Sequence, residues 1–475
     1  MKLLLQSASV AVLALAVSGC ITAPPPALKL ADLPKAFTAP IPEGAPAWPQ
    51  PDWWKGFGSD EMTGIVADAR ADNLDLAEAA SRVLEAQAEV DIARATLFPS
   101  IGVSGSVLHA GAKTGKPVNT FGASLSASYQ QNLFGGNIDS VRQALESAKS
   151  AKFAEQSVEL TITSDTADAY LNVLALRERL KIANDNIKAA KEVLGVTQAK
   201  VENGVSSRLD LAQQTAQLAS QEAQIPRLEE QEREARYTLA LLLARVPEGY
   251  DVTAKDLSGI TPPAVAPGIP SDLLRRRPDI AEAEAQLAAA HANLDAAHAA
   301  FFPSIDLTGS AGYASTALST LFHGSNLAWS LGGSLLETIF NGGERIGEMR
   351  LARAQQEELI SSYRATVLQA FSDVETALGQ VSSLAEQEKY TKEEVDNAAE
   401  AFRISEIQYR EGVADLLAVL QSQQTLFTAE DTLVQIKLAR IQAEVGLYNA
   451  LGGGWTEDAD DVTQPIPTPK PKPAE

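Results

Sequence analysis

A chain of 475 residues with a single cysteine, Cys20, can form neither an internal disulfide nor a cysteine-built metal cluster. Proline is missing between Pro117 and Pro226 and again between Pro303 and Pro465, so the strongest helix breaker is absent from two long stretches. Basic residues are scarce: 39 Lys and Arg face 61 Asp and Glu, a net charge of −22. That balance excludes a nucleic-acid surface, which needs a basic face, and suits a water-filled surface or cavity that attracts cations. Beyond the first residues no run of 18 apolar residues occurs, so no transmembrane helix is available.

The first 19 residues read as a secretory signal, with Lys2 at the start and an apolar stretch from about Leu3 to Val17. The signal closes on Val17-Ser18-Gly19-Cys20, which matches the bacterial lipoprotein box and makes Cys20 the expected lipid anchor. Ile21 follows; an Asp there often retains such lipoproteins at the inner membrane, so its absence favours the outer one. Residues 20–60 form a Pro-rich strap, and residues 457–475 an acidic and then Pro/Lys-rich tail expected to be disordered.

Between these ends the chain repeats itself. Residues 73–106 align without gaps on residues 277–310, bringing Phe98-Pro99-Ser100-Ile101 onto Phe302-Pro303-Ser304-Ile305. Gly204-Val205 answers Gly412-Val413, and Leu218, Leu239 and Leu243 fall on Leu426, Leu447 and Leu451. We therefore divide the chain into repeats 61–265 and 266–456, each ordered as helix, strand pair, long helix, glycine tip and returning helix. The long helices are expected over 138–203 and 344–411, which are rich in good helix formers and each reach roughly 100 Å. Val413, Leu420, Phe427, Val434, Ile441 and Tyr448 recur every seven residues, the spacing of a coiled-coil seam. Pro99 and Pro303 are placed where helix gives way to strand, and Gly135-Gly136 and Gly342-Gly343 where strand bends back into helix. Pro278 suits the first turn of a helix, with Asp279 near its positive end.

Four short segments have a period of two. Strands are expected at about 100–111, 120–133, 304–315 and 327–340. Apolar Ile101, Val103, Val107, Phe121, Leu125 and Tyr129 alternate with Gly102, Ser104, Ser106, Gly122, Ser124, Ser126 and Ser128. Ile305, Leu307, Tyr313, Trp329, Leu331 and Leu335 do the same against small polar residues in the second repeat. A sandwich core is one reading; an aromatic-tipped apolar face of about ten residues is the membrane β-barrel signature. Four strands cannot close, and an open edge in lipid leaves backbone groups unpaired, so several chains must contribute. Two chains would give eight strands and a filled barrel; three would give twelve and an aqueous lumen. This arithmetic favours transport through a homotrimer.

With these motifs the sequence resembles the TolC/OprM-like outer-membrane factors, and among them the NodT-type efflux lipoproteins. The resemblance rests on Cys20, Phe98-Pro99-Ser100, Ile269-Pro270-Ser271-Asp272-Leu273-Leu274 and Arg276-Arg277-Pro278-Asp279-Ile280. It rests further on Phe302-Pro303-Ser304, Asn341-Gly342-Gly343 and Tyr409-x-x-Gly412 before Leu416-Leu417-Ala418-Val419-Leu420. It implies a mainly α chain that trimerises into a 12-stranded outer-membrane barrel on a long α-helical periplasmic tunnel. It also implies docking to a periplasmic membrane-fusion adaptor and an inner-membrane RND-type pump. Carried onto this chain, it makes Gly204, Val205, Gly412, Val413 and Ala414 the adaptor-contact tips. Some relatives carry an Asp where Ala418 stands here; acids stand instead at Asp210 and Asp415, which become the candidate periplasmic gate.

No catalytic constellation emerges, and no metal or other cofactor is expected. His291 and His298 are seven apart on an Ala-rich helix, and their first-repeat counterparts are Gln87 and Arg94. His109 and His323 lack acidic partners at ligand spacing. Gly111 to Lys116 has the wrong glycine spacing for a phosphate loop and is a hairpin tip. The expected function is passive exit of small molecules such as drugs and toxic compounds. A type I secretion duct and a non-channel coiled-coil lipoprotein remain as alternatives.

Overall fold

The computed structural model describes residues 36–39, 48–111, 116–268 and 270–456. Cys20, the signal, part of the 111–120 loop, Ile269 and the 457–475 tail lie outside the described residues. The chain divides into two units: one takes in residues 84–150 and 283–364, the other 32–83, 151–282 and 365–475.

The first unit holds the sheet. Strands β1 (Ser100–Ala110), β2 (Val118–Asn132), β3 (Ser304–Ser315) and β4 (Leu327–Leu336) form one antiparallel sheet in the order β1-β2-β3-β4. The central pair joins the two repeats, with Leu125 opposite Ala311 and Ser126 opposite Ser310. Register keeps like with like: Val103 faces Leu125, Val107 faces Phe121, Ile305 faces Leu335 and Ala311 faces Trp329. The opposite face is small and polar, linked by hydroxyl pairs Ser100–Ser128, Ser104–Ser124 and Ser310–Ser330 at 2.7, 2.8 and 2.9 Å. Val103 is 84% exposed, Trp329 72% and Leu331 82%, a degree of exposure that no sandwich core has. β4 stops at Leu336, short of the expected 340, because Glu337 turns aside to pair with Arg345 at 2.9 Å. Where the first strand pair returns to helix, Phe134 stacks on Phe302, which stands just before β3, at 4.4 Å. Gly135, Gly342 and Gly343 have positive φ there, whereas Gly136 is the first helical residue.

The helices are α1 (Asp60–Asp72), α2 (Leu74–Ala95), α3 (Gly136–Glu202), α4 (Arg208–Glu222), α5 (Gln224–Leu242), α6 (Pro278–Ala299), α7 (Glu344–Arg410) and α8 (Leu416–Ala450). The proline-free stretches give α3 and α7 the same length, 67 residues. The returning arms differ. Pro226 in the first turn of α5 cannot continue the helix from α4, so the first arm breaks at Ala223, while α8 runs unbroken.

The seven-residue seam needs correction at one end. Val413 is 78% exposed because it lies in the turn, ahead of the helix. The buried stripe of α8 begins instead at Leu416, Val419, Gln423 and Leu426. An extra four-residue step through Glu430, which accepts from Asn186 of α3 at 2.8 Å, brings it onto the expected Val434, Ile441 and Tyr448.

The second unit is organised around Arg277. Its guanidinium, 12% exposed, forks onto both oxygens of Asp279 at 3.0 and 2.7 Å. It also reaches Asp373 of α7 and the carbonyl of Ala450 at the end of α8, each at 3.1 Å. Pro278 is the first residue of α6, and Leu273 and Ile280 on either side are fully buried. Beside it Arg276 lies over the Trp48 ring at 4.7 Å, and Trp53 stacks on Tyr448 at 4.9 Å. The strap is held too, with Thr38 and Ala39 amides donating to Glu375 at 2.6 and 3.0 Å. After α8 the chain turns through Gly452, Gly453 and Gly454 at φ +83°, +59° and +82°. A β-carbon on Gly452 would stand 1.8 Å from the Arg276 carbonyl oxygen, so only glycine fits.

Arg277→Ala strands two carboxylates and a carbonyl, and is expected to cost on the order of 3 kcal/mol. Gly452→Ala is expected to prevent this closure and lower the yield of folded protein; thermal unfolding and solubility in detergent check both. Burial raises Asp168, which has one buried unpartnered carboxylate oxygen, and Glu444 to about 7. Their folded values exceed the unfolded carboxylate value, so stability falls as pH rises from about 4 through about 7. Asp168→Asn with Glu444→Gln is expected to flatten that fall, measured as melting temperature against pH.

Candidate functional site at the hairpin tips

Both hairpins of the second unit turn by the same backbone device. Gly204 and Gly412 take φ +71° and +74°, the left-handed conformation that ends a helix at little cost to glycine. The amides of Val205 and Ser206 then return to the Lys200 carbonyl at 2.8 and 3.2 Å. Those of Val413 and Ala414 return likewise to the Gln408 carbonyl at 2.8 and 3.2 Å. The last carbonyls are thus satisfied and the turn is rigid.

Entry into the returning helices explains the two acids. In the first repeat Ser207 caps α4 by accepting from the Asp210 amide at 3.1 Å, and the Asp210 carboxylate accepts from the Ser207 amide at 3.0 Å. This is a full capping box, tightened by the Ser206 hydroxyl donating to Asp210 at 2.6 Å. The Ser206 hydroxyl and the Ser207 amide hold Asp210 below the usual carboxylate range. In the second repeat Asp415 is itself the cap of α8, accepting from the Ala418 amide at 3.0 Å. The cap falls at the same repeat position in both copies, 207 and 415, but is a serine backed by an acid three residues later in one and the acid itself in the other, so the two acids sit three positions apart.

The structure puts Gly204, Val205, Gly412 and Val413 on an exposed surface, and Ala414 is half-buried. Their apolar character is reinforced by two residues that sequence reasoning passed over. Leu209 is 65% and Leu417 52% exposed, beside Val205 at 72%. Leu416 and Leu417 look alike in sequence, yet the first packs into the bundle and the second points out, since consecutive helical residues lie about 100° apart. The equivalence of Leu209 and Leu417 across the repeat was the available signal.

Inside one chain the two tips are tied together. Lys200 donates to the Tyr409 carbonyl and lies 4.2 Å from the centre of its ring. The Tyr409 hydroxyl meets the buried Thr197 hydroxyl at 3.0 Å. Below them Val193, Tyr409, Leu416 and Val419 form a small core. The Tyr409-x-x-Gly412 motif pointed to this place, but its partners Thr197 and Lys200 stand in the other repeat with no pattern to mark them.

Among the described residues no group of three or more His, Cys, Asp and Glu side chains is placed to hold a metal ion. His291 is engaged by Gln356 at 3.0 Å and Asp295 at 3.8 Å, while His298 lies against Phe301. His109 pairs with Asn119 across β1 and β2 at 2.7 Å.

Comparison with known proteins agrees with this architecture. The chain is 38% identical over 424 residues to the pyoverdine export outer membrane protein OpmQ of Pseudomonas aeruginosa, covering 87% of this chain and 89% of that protein. It is 31% identical to the toluene efflux pump outer membrane protein TtgC of Pseudomonas putida, over 98% of this chain and 99% of that one. The solved outer-membrane channel OprN superposes with a TM-score of 0.82 at 27% identity, covering 90% of this chain and 98% of that one. The pattern of the family described as outer membrane efflux protein matches twice, at residues 65–245 and 269–453, once in each repeat. With both copies matched and the fold shared with a solved channel, the chain belongs to the outer membrane efflux protein family, whose members are exit channels of efflux pumps.

Proposed function

We propose that three copies of this chain close their sheets into one 12-stranded barrel and conduct small molecules outward from a periplasmic adaptor and an RND-type inner-membrane pump. The observation that carries this reading is the sheet: β1 and β4 each have a neighbour on one side only, one face is apolar and aromatic, and the other is lined by serine and glycine. Edges in lipid need partners, and three four-stranded sheets supply them while leaving a lumen. A stalk without a pore has no use for such strands. Cys20 would carry the lipid that holds the protein at the outer membrane.

The exposed Val205, Leu209, Val413 and Leu417 support the tips as the adaptor surface, with Gly204, Gly412 and Ala414 shaping it. An apolar patch on a rigid turn offers burial at low ordering cost. Asp210 and Asp415, repeated by symmetry, would form the acidic constriction of the resting tunnel. Cargo choice we assign to the pump. Relatives named for pyoverdine export and for toluene efflux share one duct architecture, and those two cargoes have little chemistry in common.

The detergent-corrected mass of protein extracted from the outer membrane is expected to be that of three chains, with conductance in planar bilayers. A monomer without conductance would overturn the channel. The gate is tested by contrast. Asp210→Asn and Asp415→Asn keep a capping oxygen and remove the charge, whereas the Ala variants lose both and about 1 kcal/mol per cap. Raised conductance and lower cation selectivity are expected in the Asn variants. If only the Ala variants change, through loss of stability, these acids cap helices and do not gate.

A further inference from the structure

Two levels of the hairpin pair are filled with polar residues. Gln214 and Gln221 of α4 and Gln423 of α8 are 0%, 3% and 0% exposed within one chain. Gln214 donates to the Ala190 carbonyl of α3 at 2.9 Å, but its own oxygen accepts nothing. Gln221 and Gln423 have no partner for either amide atom. A bond from Gln217 to Gln424 at 2.8 Å joins α4 to α8 at this height, one residue beyond Gln423 and three beyond Gln214.

These are seam positions. Gln214, Leu218 and Gln221 follow the four-then-three spacing of one buried stripe, and Leu416, Val419, Gln423 and Leu426 that of another. Apolar groups lie between and beyond the glutamines: Ile187, Ala190 and Leu218 form one cluster, with Leu218 between Gln214 and Gln221, and Val193, Leu416 and Val419 belong to another nearer the tips. The repeat does not explain them. At the repeat spacing of these helices Gln214 corresponds to Ser422, Gln221 to Ala429 and Gln423 to Thr215, so none of the three is matched by a glutamine in the other copy. Since the side chains are enclosed by their own chain, no neighbouring copy packed outside can supply the missing partners.

A buried amide without partners loses its hydrogen bonds to water and regains them when the seam opens. Opening at these levels is therefore easier than at the leucine and valine levels beside them. We infer that these two polar levels, marked by Gln214, Gln221 and Gln423, are yielding levels built into the hairpins, at which α4 and α8 come away from their neighbours when the tips move. Their use in opening a tunnel rests on the channel reading; the yielding itself does not.

The test is hydrogen exchange on the full-length wild-type protein and on Gln221→Leu/Gln423→Leu, in detergent. Leucine has a similar volume and no amide, so exchange of α4 and α8 amides between 210 and 226 and between 418 and 430 is expected to slow about tenfold. The melting temperature should rise, and in bilayers the opening rate should fall. Gln421→Leu, an exposed change on the same helix, is expected to leave exchange unaltered. Unchanged or faster exchange in the folded double variant would overturn the inference, as would equal slowing by Gln421→Leu. The single variants Gln221→Leu and Gln423→Leu are each expected to give part of the slowing. Failure of all three to fold also overturns it, because removing an unpaired amide cannot then be what the seam lacks. Wild-type protein without conductance refutes the channel and leaves the exchange result to judge the two levels.

Discussion

A backbone polar group taken out of water must find a hydrogen-bond partner, and each part of this chain meets that requirement differently. Long helices satisfy it internally, so the problem concentrates at their ends. There the Gly204 and Gly412 turns recapture the last carbonyls, while Ser207 with Asp210, and Asp415 alone, take up the first amides. The sheet cannot satisfy it alone, because β1 and β4 are its two borders. That deficit is the physical ground for the proposal that several chains close their sheets together.

The duplicated chain also shows how two copies diverge under one physical demand. Both tips need a rigid turn and both keep glycine there, but the one cap position is filled by Ser207 in the first copy and by Asp415 in the second. One returning arm is broken at Ala223 by Pro226, whereas α8 is continuous. Cohesion between the arms is uneven: apolar near the tips, amide-filled one level further on, and ionic where Arg179 meets Asp431 at 2.6 Å. A bundle with such a gradient has preferred places to bend, because apolar and ionic levels resist separation and an unpaired amide gains from it.

Patterns local in the chain were legible before any coordinates. Alternation of apolar and small residues marked the four strands, with only the end of β4 misplaced, and freedom from proline marked α3 and α7 to within two residues. The glycine tips were visible because a turn of that kind needs a residue at positive φ. These signals depend on neighbours two to seven positions away, so they survive without knowledge of the packing. The duplication was legible too, from the gapless alignment of residues 73–106 on 277–310, and the family pattern matches once in each copy.

Packing alone decided the rest. The sequence does not show that Arg277 serves Asp373 and Ala450, which stand 96 and 173 residues away. Nor does it show that Lys200 and Thr197 belong with Tyr409, or that Leu416 is buried and Leu417 exposed. The heptad drawn through Val413 failed at the tip because the helix begins only at Leu416. Sequence by itself determined which segments are helix or strand and where the chain repeats, since those follow from short-range backbone preference and periodicity. Tertiary structure decided which face of each helix is buried and which charges meet, because these depend on which distant segments the fold brings into contact.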